Sequence, residues 1–315
     1  MDVPSAPTHI VPGGHMESIA DTVKSGRVLI SDGAWGTFLQ RKGLQPGECP
    51  EAWCLTHRQD VRAIAASYIA AGADMIETNS FGANRFKLDH FGLAGSVAEI
   101  NYAAAAISRE AAGDRRVIAS VGPTGKLLMM GDVAEDELRA AFGEQAVALE
   151  RGGADAICIE TMSALDEAMA AIRAVKETTS LETICTFAFE KTKLDEYRTM
   201  MGVTPAEMAA ALIAGGADVI GANCGCGFEA MVGIVREIRT VNKDIPVLIH
   251  ANAGMPVVES GEIVYPWSPA AAASVVPELI AAGANIIGGC CGTTPEHIRA
   301  LANAVQAFDR HSAAG

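Results

Sequence analysis

The chain has 315 residues, 50% of them hydrophobic, with 38 acidic against 24 basic side chains and a formal net charge of -14. That balance, with no basic stripe, argues against a nucleic-acid or anionic-membrane partner and fits solubility or docking to a basic patch on another protein. No apolar run approaches ~18 residues, so no transmembrane helix is expected.

The first residues, MDVPSAPTHIVPGGHMES, lack a basic cluster ahead of an apolar run and do not read as a signal peptide. The expected location is therefore cytoplasmic, where the eight cysteines stay mostly reduced and clustered ones lean towards metal or catalysis. Residues 1–20 read as an irregular N-terminal arm, 21–308 as one domain, and 309–315 as a frayed tail.

RVLIS at 27–31 is the first strand candidate. A helical pattern from Asp60 to Ala71 leads into AAGADMIETN at 70–79. RVIASV at 116–121 is followed by a helical pattern from Asp136 to Arg151 and by GGADAICIE at 152–160. ETICTFAF at 182–189 precedes a helix from Pro205 to Ala214 and GGADVIGANC at 215–224. IPVLIHAN at 245–252 precedes a helix from Pro269 to Ala281 and AGANIIGGCC at 282–291. The recurring phrase is a helix that ends at a glycine, a tight turn, and a buried parallel strand. Eight alternating strand–helix units predict a single-domain α/β protein, a (β/α)8 TIM barrel, with an open doubly wound sheet as the rival architecture.

Barrel chemistry sits at the carboxyl ends of strands. Seven residues after the repeated glycines Gly72, Gly153, Gly216 and Gly283 stand Asn79, Glu160, Asn223 and Cys290. Eight after them stand Ser80, Thr161, Cys224 and Cys291. Cys224 and Cys291 thus come at one depth on the sixth and eighth strands, with Cys290 beside them. The adjacent pair is a poor disulfide, because the ring it would close is strained. Three thiolates at an accessible rim suit zinc with an open fourth position. Three cysteines that merely pack are the plain alternative. The glycines around Cys290 and Cys291 lower its weight by freeing the backbone to turn both sulfurs to one point. Cys226 offers a rival ligand two residues past the strand end, while Cys49, Cys54, Cys158 and Cys185 read as packing residues.

Glu160, at the fourth strand's end, offers a counter-charge for a substrate ammonium or, in the plainer reading, caps a helix start. Asp32, which opens the loop after the first strand, is a weaker candidate substrate contact with the backbone of Gly33 beside it, against an ordinary Asp-Gly turn. Asn252 ends the seventh strand and could orient or approach a metal, against a simple turn role. His250, on the same expected strand face, reads as a hydrogen-bonded interior histidine.

Four segments resemble the zinc-dependent homocysteine S-methyltransferases: Asp32-Gly33-Ala34-Trp35-Gly36-Thr37, Gly221-Ala222-Asn223-Cys224, Asn252-Ala253-Gly254-Met255-Pro256, and Gly288-Gly289-Cys290-Cys291-Gly292-Thr293-Thr294-Pro295. That group includes the homocysteine-binding module of cobalamin-dependent methionine synthase, and betaine–homocysteine methyltransferase. The resemblance runs from about residue 26 to 305 and implies a (β/α)8 fold. It also implies Zn²⁺ bound by Cys224, Cys290 and Cys291 with homocysteine sulfur as fourth ligand, and the substrate amino group at Glu160. The implied reaction is methyl transfer to homocysteine, giving methionine.

No Asp-x-His-x-x-Gly cobalamin signature occurs in the sequence; Asp89-His90-Phe91-Gly92 has the wrong spacing. The donor is therefore expected to be methylcobalamin on a separate corrinoid protein, or else a small molecule: a betaine, S-methylmethionine or S-adenosylmethionine. Paired methionines, Met129-Met130 and Met200-Met201, favour the corrinoid by offering a soft rim, although packing beneath loops is their commoner use. Trp35, Trp53, Tyr197, Tyr265 and Trp267 do not cluster in sequence as a betaine cage would want. Other readings are a different thiol acceptor, a non-catalytic corrinoid-docking subunit, and a barrel aldolase or synthase. The last lacks the Schiff-base lysine or phosphate loop it would need.

Overall fold

The strands of this chain are apolar on both faces, which suits parallel strands covered inside and out. In a computed structural model, which describes residues 17–259 and 261–312, eight of them form a nearly closed parallel barrel. They are Leu29–Ile30, Met75–Glu77, Arg116–Val121, Ala156–Met162, Glu182–Phe187, Val219–Gly227, Val247–Asn252 and Ile286–Gly289. From the second to the eighth each pairs with the next, and the eighth pairs with the first, Leu29 against Ile286, which leaves one seam, between the first and second. Helices cross between the strands, and the chain is the (β/α)8 barrel that the alternating pattern predicts.

The repeated Gly-Ala-Asp/Asn step ties the barrel at its lower end. Asp155 donates its N–H to the Val117 carbonyl at 2.8 Å and accepts the Val117 N–H at 2.7 Å. Asp218 does the same with Thr183, at 2.8 and 2.7 Å, and Asn285 with Val247, at 2.9 Å both ways. Asp74 closes the seam between the first and second strands: its N–H reaches the Ile30 carbonyl at 2.7 Å, and its carboxylate accepts the Ile30 N–H at 2.9 Å. Higher on that seam the Glu77 N–H donates to the Asp32 carboxylate at 2.9 Å. Side chains here take the place of a backbone ladder. The helix before three of these steps ends at a glycine with φ of 102° to 107°, a conformation in which a side chain is strained.

Inside the barrel, Leu29, Met75, Ile118, Ile184, Val219, Leu248 and Ile286 form a buried cluster that Ile19 and Val23 join. Those two belong to a helix, Ile19–Lys24. The expected arm thus differs where it is described: Ser18 caps the helix, accepting the Asp21 N–H at 3.0 Å, and Glu182 accepts the Ile19 N–H at 2.6 Å. The rest of that arm, residues 1–16, lies outside the described residues. At the other end Pro295–Ser312 is a single helix, so residues 309–312, expected to fray, continue it. The helix expected over 269–281 is two, Pro269–Ser274 and Val276–Ala282. Pro277 breaks it, because proline has no N–H to donate and its ring clashes with the carbonyl four residues back.

Replacing Asp74 by Ala leaves the Ile30 N–H without its partner. The expected loss is about 1–3 kcal/mol in urea unfolding, most of it restored by Asp74→Asn.

Candidate metal and substrate site

The loop after the eighth strand is held to its neighbours by backbone and hydroxyl bonds. Cys290 donates its N–H to the Ala251 carbonyl at 2.7 Å, and the Cys291 carbonyl accepts from Ala253 at 2.9 Å. Thr293 returns its hydroxyl to the Cys290 carbonyl at 2.7 Å. The glycines divide two jobs between them. Gly288 and Gly289 are needed for closeness, since a Cβ on Gly289 would stand 2.4 Å from Thr293 Oγ1. Gly292 alone of the three flanking glycines takes a positive φ, 78°.

Across the barrel the sixth strand loses its register with the seventh between Asn223 and Gly227. Within that bulge Cys224 adopts a φ of 56°. The outcome is that the sulfurs of Cys224, Cys290 and Cys291 all lie within 4.8 Å of one another. All three are half-buried free thiols. The donor set fits zinc: soft sulfur ligands, three in number, beside open space. In the metal-free trio the protons are shared unequally. Hydrogen bonds from Cys224 and Cys290 hold Cys291 down to about 3, while Cys290 is pushed well up. Tyr265 adds a further hydrogen bond to Cys291. Cys226 is outside the trio and buried, its thiol pushed up to about 12 by burial. Cys49, Cys54, Cys158 and Cys185 are buried, as packing residues should be.

The thiols open onto a cavity of about 280 Å³ lined also by Gly33, Trp35, Glu77, Glu160, Thr161 and His250. Among the described residues no Lys or Arg lines it. Glu160 lies within the fourth strand, and the next helix begins only at Leu165, so it is not a helix cap. Its carboxylate accepts from the Ser120 hydroxyl and, at 3.0 Å, from the Asn223 amide. Burial raises its pKa to about 7 against those hydrogen bonds.

Asp32 is fully buried and does not line the cavity. Its carboxylate is taken up by the Trp35 indole and the Glu77 N–H, both at 2.9 Å, and burial lifts its pKa to about 7. Gly33 does line the cavity, and a Cβ there would stand 2.8 Å from both Thr293 and Tyr68. His250 also lines it, with Nδ1 3.5 Å from Glu77 Oε1 and no partner on Nε2. It is therefore not the fully bonded interior histidine expected, and desolvation lowers its pKa to about 3. Asn252, expected on the same face, is buried away from the cavity with Oδ1 unpartnered.

Glu77 escaped the reading of the sequence. Burial first, then repulsion from Glu160 and Asp32, pushes its pKa well up. The signal was present as an acid inside the apolar strand MIETN.

This chain is similar to known proteins in sequence and in fold. The family model for homocysteine S-methyltransferase matches residues 29–305. Methionine synthase of Mycobacterium tuberculosis is 34% identical over 305 residues, covering 91% of this chain and 25% of that protein. Methionine synthase of Mycobacterium leprae is 32% identical over 322 residues, covering 97% and 26% respectively. The chain thus spans about a quarter of the length of these curated relatives. The metallated form of the homocysteine methyltransferase MmuM from Escherichia coli superposes with a TM-score of 0.73 at 22% identity, covering 90% of this chain and 98% of that one. At that identity the likeness speaks for the fold.

Glu160 generates a pH prediction for the metal-free protein. Its folded pKa of about 7 exceeds the ordinary 4.5, so only the unfolded chain ionises between those values, and stability falls as pH rises through that window. Glu160→Gln should match the wild type near pH 4 and exceed it by about 2–3 kcal/mol at pH 8 in urea unfolding. Equal differences at both pH values would refute the assignment.

Proposed function

The chain belongs to the homocysteine S-methyltransferase family, and from that membership we propose that it methylates the thiol of homocysteine, giving methionine. The observation that carries the proposal is the convergence of Cys224, Cys290 and Cys291 on a cavity that also holds Glu160. Those three cysteines would hold Zn²⁺, which when bound supplies the Lewis acidity that keeps a substrate thiol ionised at neutral pH. A free thiol, with a pKa near ~8.5, is largely protonated there.

The chain's own residues then have definable parts. Glu160 takes the substrate ammonium, while Glu77, whose raised pKa keeps its carboxyl protonated at neutral pH, lines the same cavity and Asp32 is buried against the Glu77 backbone. The Gly33 backbone forms the wall next to the substrate, and the backbones of Ala251 and Ala253, on either side of Asn252, hold the thiol loop. His250, kept neutral by burial, adds no positive charge to repel the substrate ammonium. The homocysteine thiolate attacks the methyl carbon in line. The new S–C bond forms as the bond from carbon to the donor breaks, and the donor departs with that electron pair. No general base is needed at the moment of transfer.

The proposed donor is methylcobalamin carried by a corrinoid protein. Met129, Met130, Leu194, Met200, Val258 and Ile263 are 68–85% exposed on loops that follow the third, fifth and seventh strands. Methionine-rich surfaces of this kind accommodate varied partners. Among the described residues the cavity lining has Trp35 and Phe81 as its only indole or phenyl rings, a poor cage for a quaternary ammonium.

Metal analysis of the purified chain should find about one zinc per chain, lost in Cys224→Ala and in Cys290→Ala. Incubation with homocysteine and a panel of methylcobalamin, betaine, S-methylmethionine and S-adenosylmethionine, followed by mass spectrometry, should yield methionine from methylcobalamin. Methionine from a small donor instead would correct the donor alone. No product from any donor, with zinc present, would remove the catalytic reading.

A further inference from the structure

One side chain joins the two ends of this site. Asn223 is fully buried on the sixth strand, immediately before Cys224, and does not line the cavity. Its amide reaches across the fifth strand to the fourth. Oδ1 accepts the Thr161 N–H at 2.8 Å and the Thr186 hydroxyl at 2.7 Å. Nδ2 donates to Glu160 Oε2 at 3.0 Å and to Thr161 Oγ1 at 2.7 Å. Both lone pairs and both hydrogens of the amide are used, so its orientation is fixed: a flip would set NH2 against the Thr161 N–H. Glu160 is held from the other side by Ser120, on the third strand.

The backbone on either side of this link is strained. Thr161 and Cys224 are two of three non-glycine residues with positive φ among the described residues, at 59° and 56°. For a β-branched threonine that conformation is an outlier, sustained where surrounding bonds over-determine it. Here the same amide bonds the Thr161 N–H and precedes Cys224. A shift at the carboxylate is therefore transmitted to the thiol, and the reverse.

Resting on the function proposed above, we propose that Asn223 is a positioning residue that sets the distance between the thiol site and the ammonium site, so that acceptors are selected by the number of carbons between sulfur and nitrogen. Homocysteine has one methylene more than cysteine along that path. A methylene in a fitted site is worth about 10- to 200-fold in discrimination. That sensitivity exists only if the two ends cannot drift apart or together.

Calorimetric titration of the zinc-loaded full chain tests this with three probes: L-homocysteine, L-cysteine and 4-mercaptobutanoate, which is homocysteine without its amino group. The wild type should prefer homocysteine to cysteine by about tenfold or more. Asn223→Ala should keep its zinc, bind 4-mercaptobutanoate as the wild type does, and lose most of the homocysteine preference. Thr186→Val, which removes one donor to the amide at a residue that does not line the cavity, should reduce the preference by about fivefold, and it carries the test if Asn223→Ala does not fold. Equal weakening of all three probes, or an intact preference in the variants, would overturn the assignment while leaving the methyltransferase reading in place. A wild-type chain that binds zinc but not homocysteine would overturn both.

Discussion

Everything at the top of this barrel is levelled by four side chains at the bottom. Asp155, Asp218 and Asn285 each join one strand to the preceding one through paired hydrogen bonds, and Asp74 does so at the closing seam. Each sits two residues past a repeated glycine, so a count from that glycine is also a height in the barrel. That is why Cys224 and Cys291, eight residues beyond Gly216 and Gly283, finish at one level on strands that are not neighbours. A slip of one residue at any tie would turn a sulfur to the opposite face, since strand side chains alternate.

The cavity above those ties concentrates acidic groups. Glu160, Glu77 and Asp32 are all buried, three thiols stand beside them, and no Lys or Arg lines the space among the described residues. Desolvation wins over hydrogen bonding at Asp32 and Glu160, raising both to about 7. The one imidazole, His250, stays neutral because burial without a strong partner penalises its charged form. Such a site is unfavourable by itself and becomes favourable with cations. A metal at the sulfurs and an ammonium at the carboxylates would each relieve part of the cost.

Much of this was legible in the sequence. Parallel strands are continuous apolar runs, and four of the eight are announced by the same glycine step, so the (β/α)8 architecture follows from spacing. The thiol trio follows from counting. What counting misses is direction. Alternation places His250 and Asn252 on one face, but the seventh strand ends at Asn252, opposite Gly227 beyond a register shift, and only His250 reaches the cavity. Glu77 was overlooked because its significance depends on Glu160 and Asp32, each contributed by a different strand. Pro277, by contrast, stood in plain view and did break the helix over 269–282.

The departures from regularity fall where the chemistry is placed. The fourth strand shifts register between Ile159 and Met162, the sixth between Asn223 and Gly227, and the left-handed Thr161 and Cys224 sit inside those two irregularities. A regular strand would point alternate residues into the barrel and out towards the helices, which cannot turn both Glu160 and Thr161 to the cavity, nor bring Cys224 round to the eighth strand's thiols. The bulges supply that turn, at about 1–3 kcal/mol for each left-handed residue. The bonds of Asn223 offset this cost at Thr161 directly, through its N–H and its hydroxyl. Strain and network are therefore one device: the backbone leaves its low-energy path where a buried amide with no bonding capacity to spare holds it there.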